Sequence, residues 1–327
     1  MNAIVASVAL ATGLVAFAAL GPLLLRRSSP ALMRAPRTAV AIVSGAMVAW
    51  AAALVALGPV VAWAAAGPSL LGGSAGEVCQ RCLASANPFS APTSAFALPA
   101  VVPVTLGAFI AAGIGVGLMA EFRSRRREGR AAAAWLRAAA SPATVRGHRV
   151  LVVNDAAPYA WTLHARHGGI ALSAGAVSAL TDSELDAVLA HESAHLRQGH
   201  HTIAALAAGL RRTLGWVPFI RSAAEALPHY LEISADAHAQ RIAGTPALAS
   251  ALLVLGIPTT IAGMPADHAR TPVLHASGPH RIGRLVGATS RGGMVPASAV
   301  AGVSLAYVVL GIGILVPYAV AVATGCA

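Results

Sequence analysis

The chain has 327 residues, of which 57% are hydrophobic and only 11% are charged. Because a soluble domain carries about a quarter charged residues, this composition excludes a disordered, fibrous or ordinary cytosolic protein and indicates a membrane protein. The formal net charge is +11, and all 23 basic residues are arginines. All 12 histidines lie between His148 and His280. The chain therefore combines a hydrophobic frame with one polar, histidine-rich insert.

Four long stretches without charged side chains predict four transmembrane helices, since a span needs about 20 apolar residues. The predicted spans cover residues 1–25, about 39–64, about 98–120 and about 296–323. The first stretch is not a signal peptide, because Arg26 and Arg27 follow the apolar run instead of preceding it.

The distribution of arginines predicts the orientation of these spans. Four arginines without an acid follow the first span, and six arginines against two glutamates follow the third. The positive-inside rule therefore places both segments in the cytoplasm and both termini outside. We expect residues 1–120 to form three spans, 121–291 a cytoplasmic domain, and 292–327 the fourth span with an external C-terminus. The basic charge then serves orientation near anionic lipid, and we expect no direct nucleic-acid binding.

The three cysteines, Cys79, Cys82 and Cys326, fall on the predicted external side, where disulfides persist. Cys79 and Cys82 have the spacing of a redox motif, but no thioredoxin-like pattern surrounds them. We expect a structural disulfide with one cysteine left over, and the sequence leaves the pairing open.

Residues 191–195 read His-Glu-Ser-Ala-His, an HExxH motif. Residues four apart share one face of a helix, so His191 and His195 can both bind one metal ion. Glu192 lies one step around the helix, close enough to act on a water molecule without being a ligand. A capping box at Thr181 predicts where this helix begins. We expect the next two histidines, residues 200 and 201, to lie off the ligand face at the surface.

A zinc ion bound by two histidines needs a third protein ligand. Glu232 is the candidate, on a second predicted helix that follows Pro228 and ends near Gly244 and Pro246. Asp236 lies four residues further on the same face, where it can accept a hydrogen bond from a ligand histidine.

Three short strands are predicted before the HExxH helix, at residues 149–153, 160–164 and 170–173. A strand in this position is well placed to pair with an extended peptide by β-augmentation. The apolar segments 202–210 and 247–264 are too short or too interrupted to span a bilayer. We expect them to form helices packed on the domain or against the membrane face.

The HExxH motif, the later Glu-x-x-x-Asp pair and the lead-in Ile-Ala-Leu-Ser-Ala-Gly-Ala-Val resemble the membrane gluzincins. These include the HtpX and CAAX prenyl protease group and the BlaR/MecR antirepressor group. The motif resemblance covers about residues 160–285, and the layout of spans resembles the BlaR/MecR type best. It implies one zinc ion at His191, His195 and Glu232, with Glu192 as general base and Asp236 supporting a ligand. We expect this protein, unlike the full-length β-lactam sensors of that group, to lack a C-terminal penicillin-binding sensor domain.

Relatives of this kind often carry a His-Pro-x-x-x-x-Arg-Ile element whose histidine stabilises the oxyanion. His275 stands six residues before Arg281 and matches that spacing, although Ala276 replaces the proline. The resemblance implies a catalytic role for His275, and a solvated surface histidine is the alternative.

We therefore expect a mainly α-helical protein of the bacterial plasma membrane, with four transmembrane helices and a cytoplasmic zinc-metallopeptidase domain containing a small β-sheet. The expected activity is endopeptidase cleavage of a peptide or protein, with a cytoplasmic transcriptional repressor or the chain itself as substrate. Membrane lipid is the other expected partner. Two alternatives are a quality-control protease of the HtpX type and a non-catalytic membrane signalling protein.

Overall fold

The computed structural model describes residues 3–66, 101–255 and 302. The described part is mainly α-helical and includes one small sheet. The helices are α1 (Ala3–Leu32), α2 (Pro36–Ala66), α3 (Val101–Ala139), α4 (Ala174–Ala179), α5 (Asp182–Arg197), α6 (His200–Leu214) and α7 (Pro218–Leu255). The strands are β1 (Ala140–Val145), β2 (His148–Val153), β3 (Ala160–Thr162) and β4 (Ile170–Ser173).

Within residues 3–66 and 101–255, three helices are long and apolar enough to cross a membrane, over Ser7–Leu32, Pro36–Ala62 and Val102–Ala139. They overlap the first three predicted spans, residues 1–25, about 39–64 and about 98–120. The predicted fourth span, apart from residue 302, lies outside the described residues, as do the three cysteines and His275. The third helix does not end at the predicted membrane boundary near residue 120. It continues through the arginine-rich segment, because Ala, Arg and Glu favour helix and Glu121 pairs with Arg125 at 2.8 Å.

The sheet has the strand order β1-β2-β4-β3, with β2 and β4 parallel and the other pairs antiparallel. The sequence pattern did not predict β1, because its Ala-Ser-Pro composition is poor in strand-forming residues. The hairpin between β1 and β2 turns at Arg146 and Gly147, both with positive φ. Of the described strands, β3 lies at an edge, and it ends at Thr162 because a 3-10 helix begins at Ala165.

The helix that carries Glu232 begins earlier than predicted, at Pro218 instead of after Pro228. Proline suits the first position of a helix, whereas Pro228 within α7 removes one backbone hydrogen bond. The buried neighbours Leu227 and Leu231 favour continuation of the helix through that point. The predicted end near Gly244 is a kink, where φ is 82° and ψ is 164°, and the chain resumes as helix to Leu255.

One hydrophobic cluster joins the apolar helices α1 and α2 to α6 and the first half of α7. The rings of Phe17 and Phe219 pack edge to face with centroids 4.6 Å apart. The indole of Trp50 on α2 donates a hydrogen bond to the carbonyl of Leu14 on α1 at 3.1 Å. The hairpin formed by α6 and the first half of α7 thus links the HExxH helix to the spans. The expected packing of segment 202–210 as a helix is confirmed.

Candidate functional site

The HExxH helix α5 begins where its capping box predicts. The backbone N–H of Thr181 donates to Glu184 Oε2 at 2.7 Å, and the Thr181 side chain accepts from the backbone of residue 184. Glu184 also accepts a hydrogen bond from Ser250 on α7. Leu185 and Leu189 are buried in the cluster beneath the sheet. The helix is therefore anchored at its first turn and along one apolar face, which fixes the direction of its motif histidines.

Two histidines and one glutamate converge in the interior between α5 and α7. The Nε2 atoms of His191 and His195 lie 3.1 Å apart, and each lies 3.5 Å from a carboxylate oxygen of Glu232. All three residues are buried. Tetrahedral zinc bound at about 2.05 Å would place neighbouring ligand atoms about 3.3 Å apart. The donor set, its spacing and its burial therefore fit one zinc ion.

His191 is oriented by a carboxylate on the neighbouring helix. Its Nδ1 lies 3.1 Å from Asp236 Oδ1, so Nδ1 donates to Asp236 and Nε2 is the nitrogen that faces Glu232 and can bind a metal. Burial lowers the pKa of His191, but hydrogen bonds to Asp236 and Glu232 outweigh this effect and raise it to about 10. The two carboxylates thus make this point attractive to positive charge.

His195 is oriented by His200, which the sequence pattern had placed at the surface. That prediction was wrong: His200 is buried, and its Nδ1 lies 3.0 Å from His195 Nδ1. Burial lowers the pKa of His200 to about 4, so its ring is neutral and can accept the proton that His195 donates. The other His200 nitrogen then donates to Gln198 Oε1 at 3.2 Å, and Ser234 donates to the same oxygen at 2.6 Å. His201, the other histidine of this pair, is only half-buried.

The helical spacing of α5 could not predict the contact between His200 and His195, because α5 ends before residue 200. The αL conformation of Gly199 (φ 64°) starts a new helix in another direction and turns His200 back toward His195. The only available signal was the histidine itself, placed directly after a glycine.

Glu192 is buried at 3% exposure beside the metal-ligand cluster. The Thr162 hydroxyl donates a hydrogen bond to its carboxylate Oε2. Thr162 is the last residue of the edge strand β3, so the strand ends at the carboxylate. Nothing in the sequence singled out Thr162, because a threonine in a short strand is an ordinary strand residue. A buried carboxylate, next in sequence to the candidate ligand His191, is thus held at the end of an edge strand.

A cavity of about 520 Å³ opens onto this cluster. Thr162, His195 and Glu232 line it, together with residues of the hairpin between α6 and α7. The cavity thus reaches two of the three candidate metal ligands, and also Thr162, whose hydroxyl donates to Glu192.

Residues 119–227 match the model of peptidase family M48. The matched segment contains the HExxH residues and ends shortly before Glu232. Neither the comparison with curated proteins nor the comparison with solved structures gave a match. The M48 match, the buried ligand triad and the three apolar helices together indicate a membrane metallopeptidase.

Proposed function

We propose that the protein is an integral membrane zinc endopeptidase whose active site faces the cytoplasm close to the bilayer. One observation carries the proposal: a buried His191, His195 and Glu232 triad lies directly beside the buried carboxylate of Glu192. The triad supplies three ligands and leaves a fourth position for a reacting molecule, which is the pattern of catalytic zinc sites. When bound, zinc would supply Lewis-acid activation of water and of the scissile carbonyl.

The remaining steps belong to the chain's own residues. Glu192 takes the proton of the attacking water and passes it to the leaving amine. The Thr162 hydroxyl holds the Glu192 carboxylate in place for both transfers. The free edge of β3 can pair with the backbone of an extended substrate and align its peptide bond with the triad. His275 would stabilise the oxyanion under this proposal.

The proposed role is regulatory cleavage of a cytoplasmic repressor, or of the chain itself, in response to a signal from the cell envelope. The resemblance to the BlaR/MecR group supports this role. The shared packing of α1, α2 and α7 would carry the signal, because Phe17 on an apolar helix contacts Phe219 on the helix that carries Glu232.

Cleavage of misfolded membrane proteins is the alternative role. It is supported by the continuity of the α6–α7 hairpin with the apolar helices, which would place the site next to membrane-embedded substrates. Immunoblots of repressors and of membrane proteins in cells that carry wild type or Glu192→Gln under cell-wall stress separate the two roles. Loss of repressor cleavage in the variant supports regulation, and accumulation of misfolded membrane proteins supports quality control.

The test of activity compares two conservative variants of the full chain. Glu232→Gln should lose most of the zinc, because a carboxylate ligand becomes a neutral amide. Glu192→Gln should keep zinc and lose proteolysis, because only the base is removed. Metal analysis and a casein cleavage assay on the same samples measure both. Zinc lost from Glu192→Gln, or retained in full by Glu232→Gln, would contradict the assignment.

The orientation is tested by thiol labelling of intact cells. A cysteine introduced at Ser124, just beyond the apolar part of α3, should be protected from an impermeant reagent and should react after permeabilisation. Labelling of Ser124→Cys in intact cells would place the proposed active site outside the cell.

A further inference from the structure

The cavity at the triad extends well beyond the metal ligands. One end is formed by Thr162, His195 and Glu232, and the other includes the arginines Arg211 and Arg212 near the end of α6. Between the two ends the lining is dominated by small residues, namely Ala204, Ala207, Ala208 and Ala224. Small side chains leave room for a peptide backbone together with its own side chains.

The charge along this cavity is uneven. Among the described residues that line the cavity, Glu232, a proposed metal ligand, is the only acid, whereas three are arginines: Arg125, Arg211 and Arg212. Glutamates that do not line the cavity partly neutralise two of these arginines. Arg125 pairs with Glu121 at 2.8 Å, and Arg211 pairs with Glu225 at 3.4 Å. Within the described residues, Arg212 forms no ion pair. The arginine end therefore keeps an excess of positive charge.

The separation between the two ends follows from helix geometry. His200, beside the metal-ligand cluster, and Arg212 are both on α6, and the helical rise of about 1.5 Å per residue separates them by about 18 Å. An extended peptide advances about 3.3 Å per residue, so about five residues bridge this distance.

We propose that the arginine end of the cavity is a substrate subsite for an acidic side chain about five residues from the scissile bond. The inference rests on the proposed peptidase function and specifies its substrate class. A carboxylate placed there would form charge-assisted hydrogen bonds with Arg212 and its neighbour, which are roughly twice as strong as neutral ones. The enzyme would then select acidic segments of its protein substrates.

The same guanidinium groups could instead hold a lipid phosphate. Arg211 and Arg212 directly precede Thr213, which packs against Gly117 in the apolar part of α3, so this end lies near the expected membrane surface. The continuity of the cavity with the triad favours a peptide occupant, because a chain bound at the metal must leave along the cavity.

Binding to the full-length Glu192→Gln chain in neutral detergent provides the first test. The probe is a fluorescent Ala-Val peptide of about eleven residues with Asp at both ends, so that an acid lies five residues from its centre in either direction. The matched control peptide has the same sequence with Asn at both ends. Fluorescence anisotropy should show about tenfold tighter binding of the Asp peptide, the gain expected from charge-assisted hydrogen bonds.

In the Glu192→Gln chain, the additional change Arg212→Gln should abolish the tighter binding of the Asp peptide. Adding Arg126→Gln should preserve it, because Arg126 is an exposed arginine on α3 that does not line the cavity. Zinc content measured on the same samples monitors folding. Equal binding of the two peptides, binding of neither, or an equal loss in both arginine variants would overturn the proposal.

Cleavage of the same peptides by the wild-type chain separates this inference from the proposed function. If the wild-type chain cleaves both peptides with the same KM, the subsite proposal is wrong and the proposed peptidase function stands. If the Asp peptide binds in an Arg212-dependent way but no sample cleaves it, the proposed peptidase function is wrong and the subsite for an acidic peptide stands.

Nanodiscs of phosphatidylcholine, with and without phosphatidylglycerol, provide the lipid control. A preference for Asp that disappears with phosphatidylglycerol would show that Arg212 holds lipid phosphate and would overturn the proposal.

Discussion

The Nδ1 atoms of His195 and His200 lie 3.0 Å apart in the protein interior. One of the two nitrogens must donate and the other accept. Because Nε2 of His195 faces His191 and Glu232, its proton belongs on Nδ1, and His200 is the acceptor. The chain thus orients its two motif histidines differently, one through the carboxylate of Asp236 and the other through a neutral imidazole.

Replacing His200 with alanine should lower the zinc affinity about 10- to 100-fold, the usual effect of losing a partner that orients a ligand histidine. His200→Asp should recover part of this loss, because a carboxylate can also accept the His195 proton. Zinc affinity is measured by competition with a chelator. His148→Ala, an exposed histidine on β2, serves as the control. Equal affinity in His200→Ala and wild type would contradict the positioning role.

Replacing Thr162 with valine should reduce kcat about tenfold or more, while the zinc content remains unchanged. The reason is that valine keeps the shape and strand preference of threonine but cannot donate to the Glu192 carboxylate. Thr162→Ser retains the hydroxyl and should retain most of the activity. The measurement is steady-state kinetics beside metal analysis. A Thr162→Val enzyme with the wild-type kcat would show that Glu192 needs no support from β3.

A methyl group at Gly21 should disturb the contact between α1 and α7. An added Cβ would lie only 2.7 Å from Cδ2 of Phe219, whose side chain is fully buried. Gly21→Ala should therefore lower the thermal midpoint in detergent, with overpacking of this kind costing about 1–3 kcal/mol. Gly45→Ala is the matched control, because an added Cβ there meets no atom within 4 Å.

Combining Gly21→Ala with Phe219→Ala should cost less than the sum of the two single changes, because loss of Cγ and Cδ2 removes two of the three close contacts with the added methyl group. Strictly additive midpoints would indicate that the two helices do not pack through this pair.

The stability of the described domain should depend on the protonation of Glu184. Hydrogen bonds from Ser250 and Thr181 hold the pKa of this carboxyl below its usual value, so folding favours the ionised form. This contribution is fully present above the unfolded pKa of about 4.3 and is lost as the pH falls through the lower folded pKa. Between pH 6 and pH 3.5, the thermal midpoint of Glu184→Gln should therefore fall less than that of wild type, at the same scan rate. Parallel decreases would exclude Glu184 as a source of acid sensitivity.

The sequence determined those features that depend on local periodicity or on composition. Uncharged runs located the three apolar helices, because a bilayer-spanning helix requires a minimum apolar length. The capping box located the start of α5, and the four-residue spacing placed His191 and His195 on one face. The same spacing paired Glu232 with Asp236, although the helix that carries them begins about ten residues before the predicted position.

The tertiary structure alone decided which residues complete the site, because contacts between elements leave no periodic signal. Thr162 reaches Glu192 only when the sheet packs on α5, and His200 reaches His195 only after the chain reverses direction at Gly199. The strand β1 forms despite its weak propensity, because β2 offers it a complete antiparallel register. The cavity that joins the metal ligands to Arg211 and Arg212 likewise depends on the packing of α6 and α7 side by side on the apolar helices.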